Sequence, residues 1–158
     1  MLKIIKIVTL FFGVIAAQAQ SITATGAWSH TFPTVTEAGS NLSTTAATSS
    51  TNQTIISFSG FTPSSTYTVR VHKSDVAWNA SLVLYIDRTS NGTGASGSSI
   101  SGGTTSFALT GTPQVYFSGS VGTGTGFTGI NNQYRITGQT VLIPAKTYTT
   151  NVVYTISN

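Results

Sequence analysis

Alternation of apolar and polar side chains, with a period of two, organises most of this chain. In the last segment Tyr148, Thr150, Val152, Tyr154 and Ile156 fall on one face, and Thr149, Asn151, Val153 and Thr155 on the other. Tyr67, Val69 and Val71 alternate with Thr68, Arg70 and His72, and Leu82, Leu84 and Ile86 with Ser81, Val83 and Tyr85. Residues two apart share a face of a strand, so these are three strands. The third is apolar on both faces, as befits a central strand of a sandwich. Shorter runs at 55–58, 107–109 and 115–117 add to them, the last two flanking a Gly111-Thr112-Pro113 turn. Residues 134–137 and 140–143 flank Gly138-Gln139, a two-residue hairpin loop by its spacing. Residues 28–32 read as a first strand. Nothing after residue 19 sustains a capped helical period. The expectation is all-β: a single immunoglobulin-like β-sandwich of about seven to nine strands.

Three stretches break the alternation. Residues 39–52 are rich in Ser, Thr and Ala, residues 91–103 in Gly and Ser, and residues 119–129 in Gly. They carry too few apolar side chains to offset the entropy of ordering, which predicts long surface loops. No fixed repeat length links them.

The first residues have a different character. Lys3 and Lys6 precede an apolar run over 7–16, and Ala17-Gln18-Ala19 sets small residues where a signal peptidase reads them. This predicts a signal peptide over 1–19 and a β-sandwich domain over 20–158. A membrane anchor needs about 20 apolar residues, and this run is about half that. Export to the periplasm, the cell surface or the medium follows, without membrane insertion once the leader is cleaved. The chain has no cysteine, so neither a lipidated cysteine nor a disulfide is available. Without the leader, five basic side chains face three acidic ones, a net charge of +2. Five scattered cations make no phosphate-binding stripe, and no nucleic-acid partner is expected.

Catalytic groups are scarce. The histidines are His30 and His72, and the carboxylates Glu37, Asp75 and Asp87. No Gly-x-Ser-x-Gly elbow marks a nucleophilic serine. Asp75 and Asp87 form the available pair for glycoside hydrolysis, but each reads more simply as a turn or strand-end residue. Asp87 with Asn91 could hold calcium through oxygens, against an ordinary Asx-type turn. The chain is therefore expected not to be an enzyme, with no cofactor and no metal.

Binding chemistry rests on the aromatics. A ring with a free face stacks on a sugar, and neighbouring amides and hydroxyls fix its orientation. Trp28, His30, Tyr116 and Phe127 are the candidates for such a patch, while Trp78 and Phe117 read as core. Trp28 stands between the two readings, because Ser29, His30 and Thr31 around it are polar. Thr23-Ala24-Thr25 and Thr123-Gly124-Thr125 are too isolated for the regular hydroxyl array that ice binding requires. Residues 21–35 can serve either as the domain's own first strand or as a strand donated to a partner by β-augmentation.

Ile143-Pro144-Ala145-Lys146-Thr147-Tyr148, followed by Val152-Val153-Tyr154-Thr155-Ile156, resembles the closing strands of spore-coat-protein-U-like and fimbrial-type domains and of WxL-type cell-wall-binding domains. Trp78, Leu82-Val83-Leu84, the run Asp87-Arg88-Thr89-Ser90-Asn91-Gly92 and Gln133-Tyr134-Arg135-Ile136 also look like small secreted proteins of the Bacteroidetes. The fimbrial cysteine pair and the WxL tripeptide are both missing. The resemblance implies a fimbrial-like sandwich at the cell envelope with a non-catalytic role. The expected function is a structural or adhesive surface protein that pairs with itself or another surface protein by strand addition. The alternative is a carbohydrate-binding module for a surface glycan, and a hydrolase is a distant third.

Overall fold

The computed structural model describes residues 19–32 and 46–158. The expected leader lies outside these residues apart from Ala19, and so do Glu37 and the first half of the 39–52 stretch. Among the described residues there are eleven strands and no helix. They are β1 (Ser21–Thr25), β2 (Ala47–Thr48), β3 (Thr54–Ser59), β4 (Thr66–Ala77), β5 (Val83–Arg88) and β6 (Thr93–Gly94). β7 (Ser98–Ser101), β8 (Phe107–Ala108), β9 (Gln114–Val121), β10 (Phe127–Thr137) and β11 (Thr149–Ser157) follow.

They form two antiparallel sheets. One runs β1-β3-β10-β5-β8, with β2 and β6 also paired to β10, and the other runs β11-β4-β9-β7. The three clearest alternating segments supply the facing interior. Tyr67, Val69 and Val71 from β4 meet Leu84 and Ile86 from β5 in one core, joined by Ile56, Phe58, Phe117, Phe127 and Ile130. Each such aliphatic side chain contributes about 1.5–3 kcal/mol by leaving water. Val152, Tyr154 and Ile156 of β11 pack on the same core from its edge. The fold class is thus as the periodicity implied: all-β, with two sheets face to face.

Several details differ from expectation. The first strand is Ser21–Thr25, in register with β3 from Ser21↔Ser59 to Thr25↔Ile55. Residues 28–32 are not a strand. Only Ile22 of β1 is even partly buried, so alternation could not reveal this edge strand. The 91–103 stretch is not one loop, because it contains β6 and β7. β7 is held to β9 by backbone pairing and by hydroxyls: Ser98 Oγ donates to the Val121 carbonyl at 2.7 Å, and Ser99 and Ser120 Oγ lie 2.9 Å apart. The 119–129 stretch shrinks to a turn between β9 and β10.

The hairpin expected across Gly138-Gln139 is absent. Residues 140–143 lack strand structure despite their β-prone Thr, Val, Leu and Ile. Both flanks of β10 at that level are taken, by β2 at Arg135 and Ile136 and by β5 through Thr137↔Val83. Gly138, at φ 83°, sits where a Cβ would lie 1.8 Å from the Ser81 carbonyl oxygen, so only glycine fits. The chain turns away there and reaches β11 through an open loop.

Candidate functional site

That loop forms one wall of a groove at the end of the molecule where β1, β10 and β11 diverge. The opposite wall begins at Gly26. Its φ of 110° and a Cβ position 2.1 Å from the Gln53 carbonyl oxygen demand glycine, and here the chain leaves β1. Gln53 Nε2 donates to the Ala27 carbonyl at 2.6 Å and fixes the exit. Beyond it, Trp28, His30 and Phe32 project to the same side and touch in succession. Trp28 and His30 stack at 6.0 Å and 27°, and His30 meets Phe32 at 5.8 Å and 54°. Phe32 then stacks on Tyr148 of the other wall at 6.5 Å and 26°. At its inner end Trp28 lies nearly parallel to Tyr134 of β10, at 6.3 Å and 12°.

The floor is the core seen from its open end. Leu82, Leu84, Tyr134, Ile136, Val152 and Tyr154 line a groove of about 1110 Å³. The Tyr134 and Tyr154 hydroxyls share a hydrogen bond of 2.8 Å that ties the two sheets together beneath it. Burial raises the pKa of both above the ordinary tyrosine value, so the pair is neutral in the fold. Trp78 closes the side near β4, its indole N–H donating to the Leu82 carbonyl at 2.9 Å. It is half-buried on the groove wall rather than enclosed in the core. Tyr148 Oη donates to the Pro144 carbonyl at 2.7 Å, which braces the loop. Thr140, Thr150 and Asn151 add hydrogen-bonding groups along the groove.

Of the four residues singled out for a ligand patch, the structure brings two together. Trp28 and His30 are neighbours on the groove wall. Tyr116 and Phe127 are elsewhere, 2% and 4% exposed. Tyr116 Oη donates to Asn132 Oδ1 at 2.6 Å inside the core, and Phe127 packs on Phe58 and Tyr67. These two rings belong to the interior and are corrected accordingly. Phe117 is core, as read. Phe32, Tyr148 and the Tyr134–Tyr154 pair were not singled out. The alternation Trp28-x-His30-x-Phe32 carried the signal for Phe32, whereas Tyr148 faces the groove only through the course of the 138–148 loop.

The polar candidates are dispersed. Asp75 is exposed on β4, and Asp87 on β5 lies on the face opposite the buried Ile86 and Arg88, so the two do not meet in the space between the sheets. Neither lines the groove, and no carboxylate does among the described residues. Desolvation works against ionisation of Asp75, but hydrogen bonds from Lys73 and Thr150 and the Lys73 charge hold its pKa below the usual carboxylate range. Asp87 is pushed up by burial. Asn91 Oδ1 accepts from the buried Arg88 guanidinium, which also donates to the Gly102 and Ser90 carbonyls. The Asn91 side-chain oxygen of the calcium alternative is thus engaged by Arg88. His72 lies on β4 opposite Val153 of β11, away from His30. Among the described residues no group of three or more His, Asp or Glu stands together as a metal site requires, and no helix is long and apolar enough to cross a membrane.

No family model, curated protein or solved structure matches this chain.

Proposed function

We propose that the chain is an exported, non-catalytic adhesive protein of the cell envelope or extracellular space, with an immunoglobulin-like or fimbrial-like sandwich. In this reading it grips a carbohydrate chain in the groove. The observation that carries this is the continuous aromatic wall, Trp28–His30–Phe32–Tyr148, beside a groove of about 1110 Å³. Pyranose rings offer flat C–H faces that stack on such side chains, and Asn151 supplies an amide partner. Among the described residues no carboxylate lines the groove, so they supply no acid–base pair for glycoside hydrolysis, which favours holding over cleaving. The test is a glycan array probed with the chain lacking residues 1–19, followed by calorimetry on the hits with Tyr148→Ala. Binding is expected to weaken about fivefold or more, the equivalent of one aromatic stack, with thermal stability nearly unchanged. An array without hits, or a variant that binds as well as the parent, overturns the reading.

A second reading, strand addition, is favoured by β11. Among the described residues this nine-residue strand is paired only with β4 and ends its sheet, and it carries no charge and no proline. Such an edge is a template for another strand. Residues 21–25 are paired within their own domain, so the added strand would come from elsewhere. Light scattering over a range of concentrations, with and without Thr155→Lys on β11, decides it. Multimers that the lysine dissolves support strand addition, and a monomer throughout removes it.

A further inference from the structure

The groove is neutral along most of its length, and its cations are placed in a particular way. Lys146 lines it and is exposed, with Nζ 5.3 Å from the centre of the Tyr148 ring. Lys73 does not line the groove, but its Nζ sits 5.5 Å from the ring centre of Trp78, which does. Among the described residues the one salt bridge joins Lys73 to Asp75, so that cation is already neutralised. Asp75 is fully engaged, since its other carboxylate oxygen accepts from Thr150 Oγ1 at 2.7 Å. Lys146 has no carboxylate partner among the described residues, and the groove offers it none. Among the described residues this positive charge is uncompensated, and it stands over an aromatic face on the groove wall.

An ammonium held over a ring by cation–π attraction blocks the face that a sugar would stack on. A neutral sugar must displace it without compensation. A sugar that bears a carboxylate draws the ammonium off the ring into an ion pair, and the same movement frees the ring face for the pyranose. The two contacts are then made together. We propose that the glycan held in this groove is acidic, a uronic-acid polymer, and that Lys146 with Tyr148 forms the subsite that reads its carboxylate. This rests on the glycan reading above and names the ligand class for the same site.

The probes are an oligogalacturonate and its fully methyl-esterified counterpart, which share a backbone and differ in charge. Calorimetry on the chain lacking residues 1–19 is run at low and high salt, with Lys146→Met and Tyr148→Ala. Lys146 is exposed and makes no hydrogen bond among the described residues, and a melting curve verifies that both variants stay folded. The acidic oligomer is expected to bind about tenfold more tightly than the ester, and to lose that margin in high salt and in Lys146→Met. The ester should bind Lys146→Met as well as the parent or better, because the ring is uncovered. Tyr148→Ala should weaken both. If both probes bind equally, or Lys146→Met leaves the acidic oligomer unaffected, the acidic preference is overturned while glycan binding stands. If neither probe binds and a broad array is also blank, the glycan reading falls and takes this inference with it.

Discussion

The two ends of the molecule use the same kind of side chain in opposite ways. At the closed end, Phe58, Phe61, Tyr67, Phe117 and Phe127 meet mostly edge to face: 67° between Phe61 and Tyr67, 81° between Tyr67 and Phe117, and 62° between Tyr67 and Phe127. At the open end, Trp28 lies 12° from Tyr134 and 27° from His30, and Phe32 lies 26° from Tyr148. Edge-to-face packing presses an edge into each ring face and leaves none for another molecule. The open-end row instead lines the groove, with His30 and Phe32 tilted at 54°, and a face of its end ring, Tyr148, lies under the Lys146 ammonium that a ligand would displace. Burial and ring geometry together separate aromatics that hold the fold from aromatics that can hold something else.

The largest expected effect is that of alkali, because it acts on both ends at once. Burial raises the pKa of Tyr116, Tyr134 and Tyr154, and takes Tyr67 to about 12 against the lowering effect of Arg88. Tyrosines of the unfolded chain lose their protons near about 10, so these residues stabilise the fold fully below that pH. The contribution is lost as the pH rises toward the folded values. Urea midpoints should be level up to about pH 9 and fall steeply above about 10. A flat profile to pH 12 would contradict the burial of these rings. Next comes Phe61→Ala at the closed end, where a fully buried ring leaves a cavity and costs about 3–5 kcal/mol in denaturant titration. Arg88→Met follows at about 2–3 kcal/mol, because the Gly102 and Ser90 carbonyls lose their donor. The smallest is Tyr148→Ala, expected within about 0.5 kcal/mol of the parent. A Tyr148→Ala loss comparable to that of Phe61→Ala would erase the distinction between the two ends.

The closed end was legible because its strands are buried on alternate positions. Tyr67, Val69 and Val71 announce an inward face and are buried as expected; Leu82, Leu84 and Ile86 are buried too, Leu82 and Leu84 where the core meets the groove. The open end was read less well, since its structure is decided by which strand edges are already occupied. Residues 140–143 have the composition of a strand and no vacant neighbour to pair with. β7, built of Ser98, Ser99, Ile100 and Ser101, has almost no apolar signal and is a strand because β9 has a free edge beside it. The groove inherits that difficulty. Trp28 and His30 were accessible to sequence reasoning through their polar neighbours. Tyr116 and Phe127 resembled them in composition, but each sits at an inward position of a paired strand. Tyr148 joins the site only through the path taken after Gly138.

The order of strands has a kinetic consequence. From β3 onward every connection but one passes from one sheet to the other, and β8 and β9, joined by a five-residue turn, lie on opposite sides of the core. Neither sheet can therefore be completed by a contiguous length of chain. The contact from Asp75 to Thr150 spans 75 residues, and the pairings of β10 with β2 and β3 are similarly remote. Nucleation must wait for remote segments to find one another, so refolding should be slow, in the millisecond-to-second range of non-local β topologies. The same interleaving means that neither sheet can detach alone, and the molecule should open all at once.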